Sequence, residues 1–326
     1  MEKKIICIGN IVVDVIIGTV EKLPKNGEVF FIDTMKLVRG GCASNTSYGL
    51  AKLGMNVKLV SKVGKDYFGE FVLNSLKKDR VNINGITYSK VNTSSCVVLI
   101  SPNGERSFYY CPGASDNLTK KEVDKNINQI AKKRNELTNT ILHIASPSKL
   151  PKLDIKLVLK KGKQMGMFTT MDVDWNENAL WVKKVKSCLK YIDIFFCNHN
   201  EGKLITGKIE PEIIAQKLME YGAVRIVIKF GEKGSMYIDK NIVVKIPANK
   251  VKVVDTTGAG DIFVSGFIAG IIKKGLVSKN DWSYRDVRDV VKFANLCGST
   301  CVTQVGATLG NENNVNKLKK LLFKLV

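Results

Sequence analysis

A chain of 326 residues with 44% hydrophobic content can bury a substantial core, which excludes a disordered or fibrous polypeptide. The net charge of +21 raises nucleic acid as a partner, but the lysines are scattered along predicted helix surfaces and no basic run is interleaved with aromatics. The charge therefore reads as a solvated, lysine-biased surface that helps to capture an anionic ligand, with no nucleic-acid partner expected.

The opening MEKKIICIGNIVVDVIIG has a basic start and an apolar run, but Asp14 interrupts that run and no A-x-A-like cleavage site follows. No later stretch reaches the roughly 18 to 20 apolar residues needed to span a bilayer. A cytoplasmic protein with no membrane partner is the expectation.

In the amino-terminal third, IICIGNIVVDVII, GEVFFID, CVVLIS and RSFYYC read as strands. The last two are joined by Pro102-Asn103-Gly104-Glu105, a hairpin signal. Helical patterns at 43–53 and 67–79 lie between these strands, so the β-rich pieces near 11–38 and 86–112 predict a small β lid on a larger sheet.

From about residue 139, strands and helices alternate: ILHIA, a helix near 152–165, MFTTMDV, IDIFFC, a helix near 200–220, and VRIVIKF. Two short strands near 235–247 and helices near 259–274 and 284–303 follow. The alternation predicts βαβ units around a mostly parallel sheet, an α/β fold in one domain spanning 1–326. The carboxyl-terminal NVNKLKKLLFKLV is amphipathic; it reads as a helix packed on the domain, with a membrane surface as the alternative. Eight cysteines sit mostly in apolar segments without C-x-x-C spacing, so reduced, buried thiols are expected.

The most informative segment is VKVVDTTGAGDIFVSGFIAGII, residues 251–272, in which a β-branched run enters Gly258-Ala259-Gly260-Asp261 and then an apolar helix. Glycine permits a tight turn and close backbone approach by a ligand. The N–H groups and positive dipole end of the helix start make an anion site suited to phosphate. Asp261, in the first helical turn, can accept the proton of an attacking hydroxyl in phosphoryl transfer. Neither a G-x-x-x-x-G-K-[ST] loop nor a G-x-G-x-x-G fingerprint near the start is present.

The string DTTGAGD, the pair Gly40-Gly41 followed by Asn45, and Asn198-His199-Asn200-Glu201 together resemble the ribokinase family of carbohydrate kinases, the PfkB type, over essentially the whole chain. That resemblance implies a ribokinase-like three-layer α/β/α sandwich with a β-sheet lid over the sugar, and a homodimer formed lid to lid. It implies Asp261 as the catalytic base and the amides of Gly258, Ala259 and Gly260 as an anion hole. Asp14, Gly40, Gly41 and Asn45 look like the sugar-hydroxyl contacts. Asp14 by itself is equally suited to a turn or strand edge, although a carboxylate can accept bonds from two vicinal hydroxyls.

By the same resemblance ATP and Mg²⁺ are the cofactors. Asn198 and Glu201 resemble the family's N-x-x-E motif, which places Mg²⁺ mostly through water, while helix capping is the other reading of Asn198. Lys229, Gly231 and Gly234 match the nucleotide-side strand and turn, where the first position is more often a small hydroxyl residue. Asn295 resembles a position lining the adenine pocket. Asp255 and Thr257, with carbonyls of the 301–306 loop, resemble a monovalent-cation site usually filled by K⁺.

Val12 and Ala145 stand where ribokinase has an asparagine and a glutamate, which argues against ribose. In MDVDW the following residue is Asn176, where related sugar-acid and fructose kinases often carry arginine. Arg106, after the NGE turn, could meet a carboxylate or phosphate of the substrate instead, or face solvent. A sugar or sugar-acid kinase is the leading reading. Phe108, Tyr109 and Tyr110 leave a nucleoside kinase open, Arg106 and nearby lysines leave a phosphorylated-sugar kinase open, and a non-enzymatic binding or regulatory protein on this scaffold is the third class.

Overall fold

The structure is a computed structural model that describes residues 3–102, 106–131, 137–176, 178–279 and 281–325. Nine strands form one sheet in the order β13-β12-β11-β10-β9-β8-β1-β4-β5. They are β1 (Lys4–Ile8), β4 (Asn56–Gly64), β5 (Asn82–Ser89), β8 (Thr140–Ala145), β9 (Phe168–Asp172), β10 (Ile194–Asn198), β11 (Ile226–Lys229), β12 (Ser235–Ile238) and β13 (Val243–Ile246). Every pairing from β5 to β11 is parallel, and β12 and β13 close the edge antiparallel.

Side chains alternate across each strand, so both faces of this sheet are apolar. On one face Ile5, Cys7, Phe196 and Tyr237 pack against the helices Cys42–Lys52, Tyr67–Lys78, Ala259–Lys273 and Tyr284–Cys301. On the other, Ile6, Ile8, Phe195 and Cys197 meet the helices Ile155–Gln164, Ala179–Cys188, His199–Thr206 and Pro211–Glu220. The result is three layers. The expected helix near 200–220 is two helices, because Gly207 adopts a left-handed conformation at φ 72° and ends the first. The terminal helix Glu312–Phe323 buries Val315, Leu318 and Leu322 against the domain. All eight cysteines are free, and Cys111 is the exposed one. Among the described residues no helix is long and apolar enough to cross a membrane.

A second sheet of four strands runs in the order β3-β2-β6-β7: β2 (Val12–Ile17), β3 (Met35–Gly40), β6 (Ser95–Ile100) and β7 (Arg106–Cys111). Its small core joins Val12, Ile16, Cys96 and Val98. β6 and β7 pair antiparallel, while the connector at 103–105, which carried the hairpin signal, lies outside the described residues. GEVFFID forms no strand; Phe31 is 98% exposed, and β-propensity is realised only where a pleated surface exists to pack on. The strand beside β2 is Met35–Gly40 instead. Residues 86–89, expected in the lid, belong to β5 of the large sheet.

Strand order reverses between β1 and β8, and in such sheets ligands bind at the carboxyl ends beside the reversal. Those ends carry Asp172, Asn198 and Lys229, the last residues of β9, β10 and β11. The apolar support beneath them is Phe267, whose ring meets Phe196 edge-on at 5.2 Å and stacks with Tyr237 at 6.4 Å. Phe267→Ala should lower unfolding free energy by about 3 to 5 kcal/mol in urea titration with an unchanged m-value. A loss below about 1 kcal/mol would mean that the site does not rest on this ring.

Candidate active site

The segment 251–258 reaches the sheet's carboxyl end without being a strand. Its β-branched residues find no pairing partner: Val251, Val253 and Val254 are exposed, and the amides of Val254 and Asp255 both donate to the Val302 carbonyl, at 2.7 and 3.2 Å. Gly258 then takes φ 70° and caps the Ala259–Lys273 helix. A side chain there would overlap Ala307, so both conformation and space require glycine. The helix start beyond it presents backbone N–H groups and positive dipole to whatever lies at the turn.

Asp261 projects from that first turn and is 8% exposed. Asn45 Nδ2 donates to its Oδ2 at 2.9 Å, bringing together residues 216 positions apart. Burial, reinforced by the charge of Asp172, raises the carboxyl to about 7 against the opposing influence of Asn45, Lys229 and a hydrogen bond from Cys42. Cys42 is a contact that the sequence motifs did not single out. Burial holds its thiol well above the usual range, so it stays protonated and able to donate, while its sulfur accepts from Ser146 Oγ at 3.2 Å.

The expected sugar contacts converge on the same place. Asp14 of β2 is buried, and Gly40 of β3 lies so close that a side chain there would overlap its carboxylate. Gly41, at φ 90°, opens the Cys42–Lys52 helix that carries Asn45; a Cβ on it would lie 2.7 Å from the Asn10 carbonyl. Burial lifts Asp14 to about 6, with Arg106 opposing and Asp255 adding. Asn45 Oδ1 is buried without a protein partner among the described residues, an acceptor left for a ligand's hydroxyl.

On the other side of the turn is a cavity of about 860 Å³ lined by Lys229, Gly231, Gly234, Gly260, Phe263 and Asn295. Its volume and the glycines lining it beside the helix start suit a nucleotide. Lys229 Nζ donates to both oxygens of Asp172, at 2.7 and 2.9 Å, and lies 3.3 Å from where a Cβ on Gly260 would be. Burial alone would depress the lysine, but Asp172, Glu201 and Asp261 around it outweigh that and raise it. Asp172 was missed in the sequence, although the paired acids of MDVDW at a strand end were its signal. The second acid, Asp174, accepts from Ser148.

Asn198 and Glu201 cap a helix reciprocally: Asn198 Oδ1 accepts from the Glu201 amide at 2.8 Å, and Glu201 Oε2 accepts from the Asn198 amide at 2.7 Å. Burial raises Glu201 to about 8, with Lys229 opposing and Asp172 adding. Asn295 stands in the cavity wall as expected, but its amide is spent on the fold: it accepts from Ser235 and donates to the carbonyls of Ile246 and Pro247. It has little left with which to read a base.

No group of three or more His, Cys, Asp and Glu able to hold a metal exists among the described residues. Mg²⁺ ordinarily keeps several waters and takes one or two carboxylates plus phosphate oxygens. Glu201 Oε1 and the excess of carboxylate over ammonium around Lys229 fit an ion held that way. The monovalent-cation set fits poorly. Asp255 Oδ1 accepts from the Thr257 amide at 2.6 Å and from Arg106, and Oδ2 accepts from the Gly306 amide at 2.7 Å. The Thr257 and Gly306 carbonyls both face Cys301 Sγ, at 3.5 and 3.8 Å. Arg106 is therefore not a solvent-facing residue; its side chain is 11% exposed.

Residues 2–314 match the pfkB family carbohydrate kinases. The chain is 29% identical over 275 residues to a probable fructokinase-5 of Arabidopsis thaliana, covering 82% of this chain and 83% of that one. Among solved structures, Arabidopsis thaliana ribokinase complexed with ribose and ATP superposes with a TM-score of 0.78 at 24% identity, covering 98% and 99% of the two chains. A Xylella fastidiosa fructokinase with bound ATP gives 0.79 at 19% identity, with the same coverage. The family match over nearly the whole chain, carried on a ribokinase-like fold, makes this protein a member of the pfkB family and an enzyme, a carbohydrate kinase.

Proposed function

We propose that this kinase transfers the γ-phosphoryl group of ATP to a hydroxyl of a small sugar or sugar acid, with a fructose-like ketose the first acceptor to try because curated relatives are named fructokinases. One observation carries the reading: a buried carboxylate, Asp261, stands at a helix N-terminus bonded to Asn45 on one side and beside a nucleotide-sized cavity on the other.

In this mechanism Asp14, the Gly40-Gly41 backbone and Asn45 orient the acceptor's hydroxyls. Arg106 Nη1, buried without a protein partner among the described residues, is a donor left for a further substrate oxygen. Asn45 fixes the Asp261 carboxylate, which accepts the proton of the attacking hydroxyl as the O–P bond forms. The amides of Gly258 and Gly260 donate to the oxygens of the moving phosphoryl group, and that of Ala259, which donates to the Thr256 carbonyl at 3.3 Å, joins them only by leaving that carbonyl. Lys229, held by Asp172, adds positive charge beside that turn, where charge develops in the transition state. Glu201 would hold Mg²⁺, which would supply further neutralisation of phosphate charge. Gly231 and Gly234 let the nucleotide lie close to the backbone.

The four-stranded sheet acts as a lid in this reading. Phe108 and Tyr109 alternate along β7, so each face of this sheet carries an exposed aromatic, and a homodimer formed lid to lid is part of the same proposal. The enzyme is placed in the cytoplasm.

A coupled ADP-release screen with Mg²⁺ over hexoses, pentoses, sugar acids, sugar phosphates and nucleosides tests the assignment. Turnover confined to nucleosides or sugar phosphates would replace the acceptor class, and no turnover at all would favour a regulatory protein. Asp261→Asn should cut kcat by about 10²-fold to 10⁴-fold while calorimetry shows ATP affinity largely kept; near-normal kcat would remove Asp261 as base.

The base must be ionised, and Asp261 is raised to about 7, so kcat/KM should rise with pH through that region. At pH 6 the rate should stand about tenfold below its plateau, and a flat profile from pH 5.5 to 8 would contradict the assignment. Replacing the pair together, Lys229→Met with Asp172→Asn, avoids an unpaired buried carboxylate. It should lower kcat by about 10²-fold with a smaller change in the KM for ATP; an effect on KM alone would limit Lys229 to binding.

A further inference from the structure

Arg106 opens β7 of the second sheet, yet its guanidinium leaves that sheet and meets Asp255 on the segment that leads into the Gly258 turn. Asp255 is the structural hub there. Its Oδ1 accepts the Thr257 amide and its Oδ2 the Gly306 amide, so one carboxylate bridges the chain entering the turn and the loop behind it. That loop places Ala307 against Gly258. With its side chain 1% exposed, Asp255 carries a charge that solvent does not compensate, and a buried carboxylate persists only when paired.

The partner is Arg106. Both carboxylate oxygens of Asp255 are already engaged by the guanidinium and by two backbone amides, and the Cys301 thiol faces the Thr257 and Gly306 carbonyls. A cation added at Asp255 would also stand beside a fixed positive charge. We infer that Arg106 is a built-in counter-ion of Asp255: it sets the frame of the phosphate-binding turn without a monovalent cation, and in doing so ties the second sheet to that turn. Arg106 is thus a positioning residue toward Asp255, independent of which sugar is the acceptor. A guanidinium suits the task because it stays charged at every working pH and offers several donors in a fixed plane.

The experiment compares the thermal midpoint and calorimetric ADP affinity of the full chain in potassium, sodium and choline chloride at one ionic strength. Neither readout requires turnover, so a failed kinase assignment would leave this test intact. The wild-type protein should respond alike to all three salts, within about twofold in ADP affinity. Arg106→Met should melt about 5 °C or more lower in choline and recover part of that loss in potassium or sodium. Arg106→Lys should restore most of the stability. Combining Arg106→Met with Asp255→Asn should relieve the unpaired charge and abolish the cation response.

A wild-type protein stabilised by potassium over choline, with ADP bound more than about threefold tighter, would overturn the inference. So would an Arg106→Met protein with unchanged midpoint and no cation response. If Arg106→Met alone does not fold, the wild-type salt comparison and the double variant still decide.

Discussion

The burial of the Asp261 carboxylate at the start of a helix is the constraint from which the rest of this site follows. Removing a carboxylate from water is costly, and here the cost shows as a group lifted to about 7. The opposing pull comes from the helix dipole, Asn45 and Lys229. The balance leaves a carboxyl that ionises near neutrality, whereas a fully solvated aspartate would be a weaker proton acceptor and an unsupported buried one would stay protonated. Gly258 is what permits that placement: with Ala307 filling the space a side chain would need, the chain turns sharply enough to aim the first helical turn at the site.

Charge around Asp261 is distributed in two sets. On the nucleotide side, Asp172, Glu201 and Asp261 surround one ammonium, Lys229. On the side of the second sheet, Asp14 and Asp255 share one guanidinium, Arg106. In each set carboxyl groups outnumber the cation named, beneath a surface that is strongly basic overall. Such a surface attracts anions at long range.

The doubly wound topology explains why residues from so many parts of the chain meet. β9, β10 and β11 are adjacent and parallel, so their last residues, Asp172, Asn198 and Lys229, form a row at one edge of the sheet. Asn45 and Asp261 come from two helices on the same face, held together by Ser265 Oγ donating to the Thr46 carbonyl at 3.0 Å. The second sheet then adds Asp14, Gly40 and Arg106 from above the strand reversal.

The sequence by itself determined the α/β class, the glycine turn before an apolar helix, and Asp261 at its start, because strand periodicity, helix apolarity and glycine's conformational range are local properties. Asp14, Gly40, Gly41 and Asn45 were marked by the resemblance of their motifs to the ribokinase family, not by any spacing that brings them together. What neighbours across the fold contribute was not legible there. GEVFFID has strand propensity and no surface to pair with, and the β-branched run at 251–254 bonds to Val302 instead of a strand. Asn295 spends its amide on β13 and the adjoining Pro247 carbonyl. Asp172 gains meaning only when β9 and β11 bring it to Lys229, and Arg106 only when the second sheet delivers it to Asp255. Pairing between buried charges depends on distances fixed by tertiary packing, and no spacing along the chain encodes them.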